Sequence, residues 1–92
     1  MEFLVRLEVR LPPETDPLRR AELEAAEGAR GVELIEAGHL KRIWRVPGRR
    51  ANLSLYDVDD ASHLHRLLCS LPMWPWIDAS VEPLAAHPLE QP

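Results

Sequence analysis

The sequence predicts an α+β fold with six elements in the order β-α-β-β-α-β. Three observations lead to this prediction. Four segments alternate between apolar and polar residues, two others carry apolar residues at helical spacing, and proline, glycine or paired aspartates separate the segments. Because 92 residues are the size of one small domain, a single domain is expected over residues 1–92.

The first strand and the first helix have distinct sequence signals. The strand is predicted from Glu2 to Arg10, where apolar and charged residues alternate with the period of a half-buried strand. The helix begins after Asp16, which suits an N-cap, and runs to about Ala37, with Gly38 as its C-terminal cap. Its broadest apolar face is expected to pack on the sheet. The residues of that face are Leu18, Ala21, Ala25, Ala29, Val32 and Ile35.

A hairpin, a second helix and a last strand follow. The hairpin strands are predicted at 40–46 and 51–58, with proline and glycine in the turn between them. Asp59 and Asp60 precede the second helix. Its apolar stripe consists of Ala61, Leu64, Leu67, Leu68 and Leu71. The last strand is predicted at 77–82, and the tail after it has no periodicity.

This order is that of a ferredoxin-like fold, an antiparallel sheet with both helices on one face. Such an arrangement leaves the other sheet face bare. Packing of that face against a second subunit is therefore expected, and the protein is predicted to be oligomeric.

Composition excludes several classes of protein. A net charge of −4 and a pI near 5.5 disfavour a nucleic-acid binder, which needs many basic groups to neutralise phosphates. Cys69 is the single cysteine, so it forms no intramolecular disulfide, and no spacing resembles a structural zinc site. The N-terminal segment is interrupted by charges, unlike a signal peptide or membrane span. A cytoplasmic location without membrane contact is expected.

The hairpin concentrates positive charge in an acidic chain. Five of the eleven basic residues lie between Lys41 and Arg50, whereas residues 37–56 contain no Asp or Glu. A nucleic-acid patch, a site for a small carboxylate and a solvated hairpin would all produce this pattern, although the net charge disfavours the first. On a strand Arg45 and Trp44 point to opposite faces, and Arg42 shares the face of Trp44.

Four segments resemble the muconolactone delta-isomerases in order and spacing. They are FLVRLEVRLPP, IWRVPGRRANLSLYDV, LHRLLCSLPMWPW and the closing HP, and they span nearly the whole chain. The resemblance implies a cofactor-free enzyme of aromatic catabolism that assembles into large homo-oligomers. It implies a dimer or larger assembly, with a decamer among the options, and an extended tail (about 83–92) at a subunit interface.

The reaction that the resemblance implies is a double-bond shift in an unsaturated lactone with an acetate side chain, giving 3-oxoadipate enol-lactone. A carboxylate of raised pKa takes a proton from one carbon and returns it at another. Glu27 stands where the family has its acidic residue and is the candidate catalytic base. The candidate substrate-binding residues are Arg45, Trp44, Asn52, Ser54, Arg42, His65 and Trp76.

The residues by themselves leave other interpretations open. By helical periodicity Glu27 is away from the main apolar face, which is typical of a solvated glutamate. Arg45 would be a surface cation in a weak ion pair, and His65 a hydrogen-bonded histidine of the second helix. Asn52 and Ser54 would satisfy one another beside the helix. The two arginines that follow the hairpin turn, Arg49 and Arg50, are expected to be solvated.

The chain departs from the family pattern at three places. The family commonly has histidine at Arg42, tyrosine at Arg50 and Phe-Pro-Tyr at residues 74–76. The loss of two phenols removes hydrogen-bond donors, so these departures bear on the substrate more than on the fold. The alternative function is a ferredoxin-like monooxygenase or cyclase acting on another aromatic or polyketide-like substrate, or a non-catalytic binding subunit.

Overall fold

A computed structural model describes residues 1–90 and has the predicted order of elements. These are β1 (Glu2–Val9), α1 (Pro17–Glu36), β2 (Leu40–Arg45), β3 (Ala51–Asp57), α2 (Ala61–Cys69) and β4 (Ile77–Leu84). The strands form one sheet in the order β2-β3-β1-β4, and every neighbouring pair is antiparallel. The predicted α+β, ferredoxin-like fold class is confirmed.

Both helices cover the same sheet face. Phe3, Val5 and Leu7 alternate along β1 and are at most 6% exposed, because the helices pack over them. The main core cluster contains these three residues together with Leu34, Leu40, Tyr56, Val58, Leu64, Leu68 and Leu71. A second, smaller cluster of Leu11, Leu23 and Met73 lies near the C-terminal end of β1.

The predicted caps fix the helix ends. The Asp16 carboxylate accepts from the Arg19 N–H at 3.1 Å, and the Asp60 carboxylate accepts from the His63 N–H at 2.8 Å. Gly38 follows α1 with φ of 81°, a left-handed conformation that glycine adopts without a steric penalty. β4 continues two residues beyond the predicted end. Pro83 is tolerated there because β4 is an edge strand.

The prediction that the broadest apolar face of α1 packs on the sheet was wrong. Leu18, Val32 and Ile35 are 69%, 52% and 51% exposed, whereas Leu23 and Leu34 are buried. The helix therefore turns its second, narrower apolar stripe to the sheet and leaves the broader one uncovered. Glu27 lies between the two buried leucines on the inner face and is half-buried.

The hairpin register fixes what each face of β2 presents. Arg45 pairs with Asn52 and Ile43 pairs with Ser54, both on the helix-covered side of the sheet. Trp44 pairs with Leu53 on the open side, and the Arg42 guanidinium carbon lies 4.9 Å from the centre of the Trp44 ring system. The expected separation of Arg45 from Arg42 and Trp44 is confirmed.

The open side of the sheet carries several apolar side chains that nothing in residues 1–90 covers fully. They are Leu4, Leu53, Leu55, Trp44 and Leu84. Neither α1 nor α2 combines the length and apolar character needed to cross a membrane.

Candidate active site

A cavity of about 880 Å³ opens where α1 faces the start of β3 and the end of β1. Its volume suits a small organic ligand. The lining residues are Val9, Pro13, Arg20, Glu24, Glu27, Arg45, Arg49, Arg50, Ala51, Asn52 and Met73. The wall is therefore mixed, with apolar groups from β1 and the Met73 turn and charged groups from α1 and the hairpin.

Glu27 is the half-buried carboxylate of this cavity. One of its oxygens, Oε1, accepts from the Met73 backbone N–H at 3.0 Å. Burial raises the pKa of Glu27 above its ordinary value of 4.5, although the Met73 hydrogen bond opposes the rise. The carboxylate is thus held at a fixed place and made more basic, which are the two properties required of a general base.

The Met73 turn is held by the second core cluster. Met73 is 6% exposed and packs with Leu11 and Leu23, and Trp76 packs against the same cluster. The hydrogen bond to Glu27 joins residues 46 positions apart, so only the tertiary structure brings the two groups together. Glu27 therefore depends for its orientation on a turn that no helical pattern predicts.

Tyr56 is a buried phenol whose titration responds to Glu27. Burial raises the pKa of Tyr56 to about 12, the negative charge of Glu27 adds to the rise, and Arg30 opposes it. The phenol consequently stays protonated near neutral pH. It lies on the helix-covered face of β3, opposite Phe3.

Arg45 and Asn52 face the cavity from adjacent strands. They are register partners at the point where β2 and β3 meet the cavity. Arg45 makes none of the ion pairs found within residues 1–90, so its guanidinium keeps its hydrogen-bonding capacity for a ligand. A guanidinium binds a carboxylate through two parallel hydrogen bonds, and the Asn52 amide supplies a neutral donor beside it.

Three more arginines line the cavity. Arg49 and Arg50 were expected to be turn residues with only a solvated role, but although both are exposed they contribute to the cavity wall. Arg20 was not singled out from the sequence. It precedes Glu27 by seven residues, a spacing that places the two on one helix face, and this was the signal available for it.

The remaining candidate residues do not line the cavity. Ser54 is 1% exposed within the sheet–helix interface, and Arg42 and Trp44 stack together on the open sheet side. His65 is exposed on α2, where its Nε2 lies 3.4 Å from the Sγ of Cys69. Trp76 packs behind Met73 and so contributes to the support of the wall.

Fold and cavity together define a small ferredoxin-like protein with a half-buried acid and four guanidinium groups around one cavity. The family model for muconolactone delta-isomerase matches residues 1–90. Muconolactone Delta-isomerase 2 of Acinetobacter lwoffii is 39% identical over 87 residues, covering 95% of this chain and 91% of the relative. The Rhodococcus opacus muconolactone delta-isomerase is 39% identical over 85 residues, covering 92% and 91%. The chain belongs to the muconolactone delta-isomerase family.

Solved structures show the same fold. A crystal structure of muconolactone isomerase superposes with a TM-score of 0.91 at 36% identity, covering 96% of this chain and 92% of that one. A 5-chloro-2-hydroxyhydroquinone dehydrochlorinase from Burkholderia phenoliruptrix superposes with a TM-score of 0.74 at 14% identity, covering 99% and 100%, a likeness of fold alone. The family is one of isomerases, and these matches do not favour the alternative of a monooxygenase, a cyclase or a non-catalytic subunit.

Proposed function

We propose that this protein isomerises muconolactone to 3-oxoadipate enol-lactone in the breakdown of aromatic compounds. The observation that carries the proposal is that Glu27 and Arg45 line one cavity. A base and an anion anchor are the two groups that a proton shift in a lactone bearing an acetate requires. The choice of muconolactone as the substrate is inferred from the family to which the chain belongs.

Glu27 is the proposed base. Because Oε1 is held by the Met73 N–H, the second carboxylate oxygen remains available to the substrate. It takes the proton from the ring carbon that carries the acetate, which leaves a dienolate. The resulting carboxylic acid then returns the proton to the carbon next to the lactone carbonyl. The double bond moves, and Glu27 ends the cycle ionised as it began.

Arg45 and Asn52 have complementary proposed roles. Arg45 binds the acetate group of the substrate, so that the ring is held at a fixed distance from α1. Asn52, opposite Arg45 in the register, donates from its side-chain amide to the lactone oxygen as negative charge develops there. Trp76 acts through Met73, because it packs against the cluster that positions the backbone N–H holding Glu27.

A homo-oligomer is the proposed form of the enzyme. Two apolar surfaces are left uncovered, the open side of the sheet and the outer face of α1, where Leu18, Val32 and Ile35 are exposed. A small chain gains stability by burying such surfaces against a copy of itself. The tail that the sequence analysis expected to be extended begins as the end of β4, at Pro83 and Leu84, and forms a 3-10 turn at Pro88–Glu90. We propose that this tail takes part in the contact; its residues 91 and 92 lie outside the described residues. Light scattering after size-exclusion chromatography should give a mass of at least twice the 10.5 kDa of one chain. A mass of 10.5 kDa would contradict the proposal.

The decisive experiment is a spectrophotometric assay of the purified protein with muconolactone. Turnover without added cofactor supports the proposal. An absence of turnover by a folded, oligomeric sample would reject muconolactone as the substrate.

A cytoplasmic location is also proposed, because the single free cysteine suits a reducing compartment.

A further inference from the structure

We infer that the cavity contains a second anion-binding subsite, formed by Arg49 and Arg50, and that it accepts a lactone bearing two carboxylates. The inference deepens the proposed function and rests on it for the lactone ring and for the acetate group that Arg45 binds. It begins from the charge of the cavity wall. Four guanidinium groups line the cavity, against the two carboxylates of Glu24 and Glu27, which gives the lining a formal charge of +2.

A substrate with one carboxylate leaves this charge incompletely matched. Its acetate group would engage Arg45 and reduce the formal charge of the filled cavity to +1, whereas a second carboxylate would bring it to zero. Of the other three guanidinium groups, Arg20 already donates to the Pro12 carbonyl at 3.3 Å. Arg49 and Arg50 make none of the ion pairs or side-chain hydrogen bonds found within residues 1–90, so both retain their full donor capacity.

The backbone that carries these two arginines is held in place. The Arg49 N–H donates to the Val46 carbonyl at 3.2 Å, and the Val46 N–H donates to the Ala51 carbonyl at 3.0 Å, so the turn is closed. The Arg50 carbonyl accepts from the Val9 N–H at 2.9 Å, which ties the end of the hairpin to β1. Gly48, with φ of 76°, permits the reversal of the chain.

The sheet register places Arg50 on the cavity side. Leu7 lies opposite Asn52 in the β1–β3 pairing, and the hydrogen bond from the Val9 N–H to the Arg50 carbonyl continues this pairing one residue before β3 begins. Because alternate residues of a strand share a face, Arg50 projects to the same side as Asn52 and as Arg45, the partner of Asn52. Arg45 and Arg50 therefore approach one ligand from adjacent strands, at two positions along the hairpin.

The chemistry of the second group follows from the donors. Guanidinium groups bind carboxylates through paired hydrogen bonds, and a cleft of one sign raises the local concentration of an oppositely charged ligand. The ligand class is thus a five-membered lactone with its acetate toward Arg45 and a second carboxylate, attached to the ring, toward Arg49 and Arg50.

Binding of two inert lactones tests the inference without requiring turnover. The probes are the saturated lactone carrying an acetate at C5, and the same lactone with an additional carboxylate on C4, which keeps the C5–H bond that the proposed reaction breaks. Each is titrated calorimetrically into the intact protein. We expect the dicarboxylate to bind about tenfold more tightly, with a preference that falls as salt is raised. Equal affinity, or tighter binding of the monocarboxylate, would overturn the inference.

Variants locate the subsite. Arg50→Tyr is expected to remove most of the preference, with about a tenfold loss for the dicarboxylate and less than about a twofold change for the monocarboxylate. Arg66→Gln is the matched control, because it removes one positive charge from exposed α2 outside the cavity lining and should leave the preference intact. An equal loss for both probes in Arg50→Tyr, or an equal loss of preference in Arg66→Gln, would contradict the assignment.

The outcomes separate this inference from the proposed function. A preference for the dicarboxylate in a protein that does not turn over muconolactone would retain the subsite and reject the reaction. Turnover of muconolactone without the preference would retain the reaction and reject the subsite. If Arg50→Tyr fails to fold, the comparison of the two probes on the unaltered protein still decides the matter.

Discussion

The two faces of the β2–β3 hairpin carry similar residues but meet different surroundings. On the covered face Arg45 and Asn52 line the same cavity as the half-buried Glu27. On the open face Arg42 lies over Trp44, among leucines of the sheet. The basic residues of this hairpin line a ligand-sized cavity only on the face that another element encloses. Here that element is the inner face of α1.

Removing the base should have the largest effect on the covered face. Glu27→Gln preserves an oxygen for the Met73 N–H but cannot accept a proton, so kcat should fall by about 10²- to 10⁴-fold. Steady-state kinetics with muconolactone measure the loss. Glu24→Gln is the matched comparison in the same cavity, and its activity should stay within about tenfold of the unaltered protein. Comparable losses in the two variants would assign the effect to cavity charge and contradict the role of Glu27.

The hairpin itself is tested by paired arginine substitutions. Arg45→Gln should raise KM by about 10- to 100-fold, because the acetate loses its charge-assisted hydrogen bonds. Arg42→Gln, on the open face, should raise KM by less than about threefold, since its partner is an indole and its contribution is a surface cation–π contact. A reversed order would mean that the open face, completed by another subunit, binds the substrate.

The pH dependence should report the burial of Glu27. A base acts only when ionised, so kcat/KM should fall as pH is lowered through the Glu27 pKa, which lies above the ordinary 4.5. The pH profile of kcat/KM with muconolactone measures this fall.

The same raised pKa affects the stability of the fold. The folded state binds the Glu27 proton more tightly than the unfolded state, so the free energy of unfolding decreases as pH rises from 4.5 through the folded-state pKa. Glu27→Gln should therefore melt at a slightly higher temperature at pH 7. A lower melting temperature would contradict the direction of the shift.

The open face should give the smallest effect on chemistry and a separate effect on assembly. Leu53→Asp places a charge opposite Trp44 in the register, on the surface proposed to bury against another copy. We expect light scattering to show smaller species. An unchanged assembly would exclude this part of the open face from the interface. The outward-facing Arg66→Gln is the control, and its assembly should be unchanged.

Much of the fold was predictable because local chemistry specifies it. The caps at Asp16 and Asp60, the glycine after α1 and the alternation along β1 depend on neighbours a few residues away. The separation of Arg45 from Arg42 also follows from strand geometry alone. The family resemblance, rather than periodicity, singled out Glu27.

The inner face of α1 could not be predicted from its composition. Counting apolar residues favours the stripe that contains Leu18, Val32 and Ile35, yet that stripe is exposed. The helix α1 has two apolar stripes, and periodicity does not say which one meets its own sheet. The inner face was harder to recognise because Glu27 interrupts it.

The sequence by itself determined the element order, the caps and the side of each hairpin residue, because these depend on backbone geometry and short-range hydrogen bonds. Only the tertiary structure decided that Glu27 turns inward, that the Met73 N–H meets it, and that Arg49 and Arg50 join Arg45 around one cavity. Those contacts join distant segments, and the packing of α1 and the Met73 turn over the sheet establishes them together.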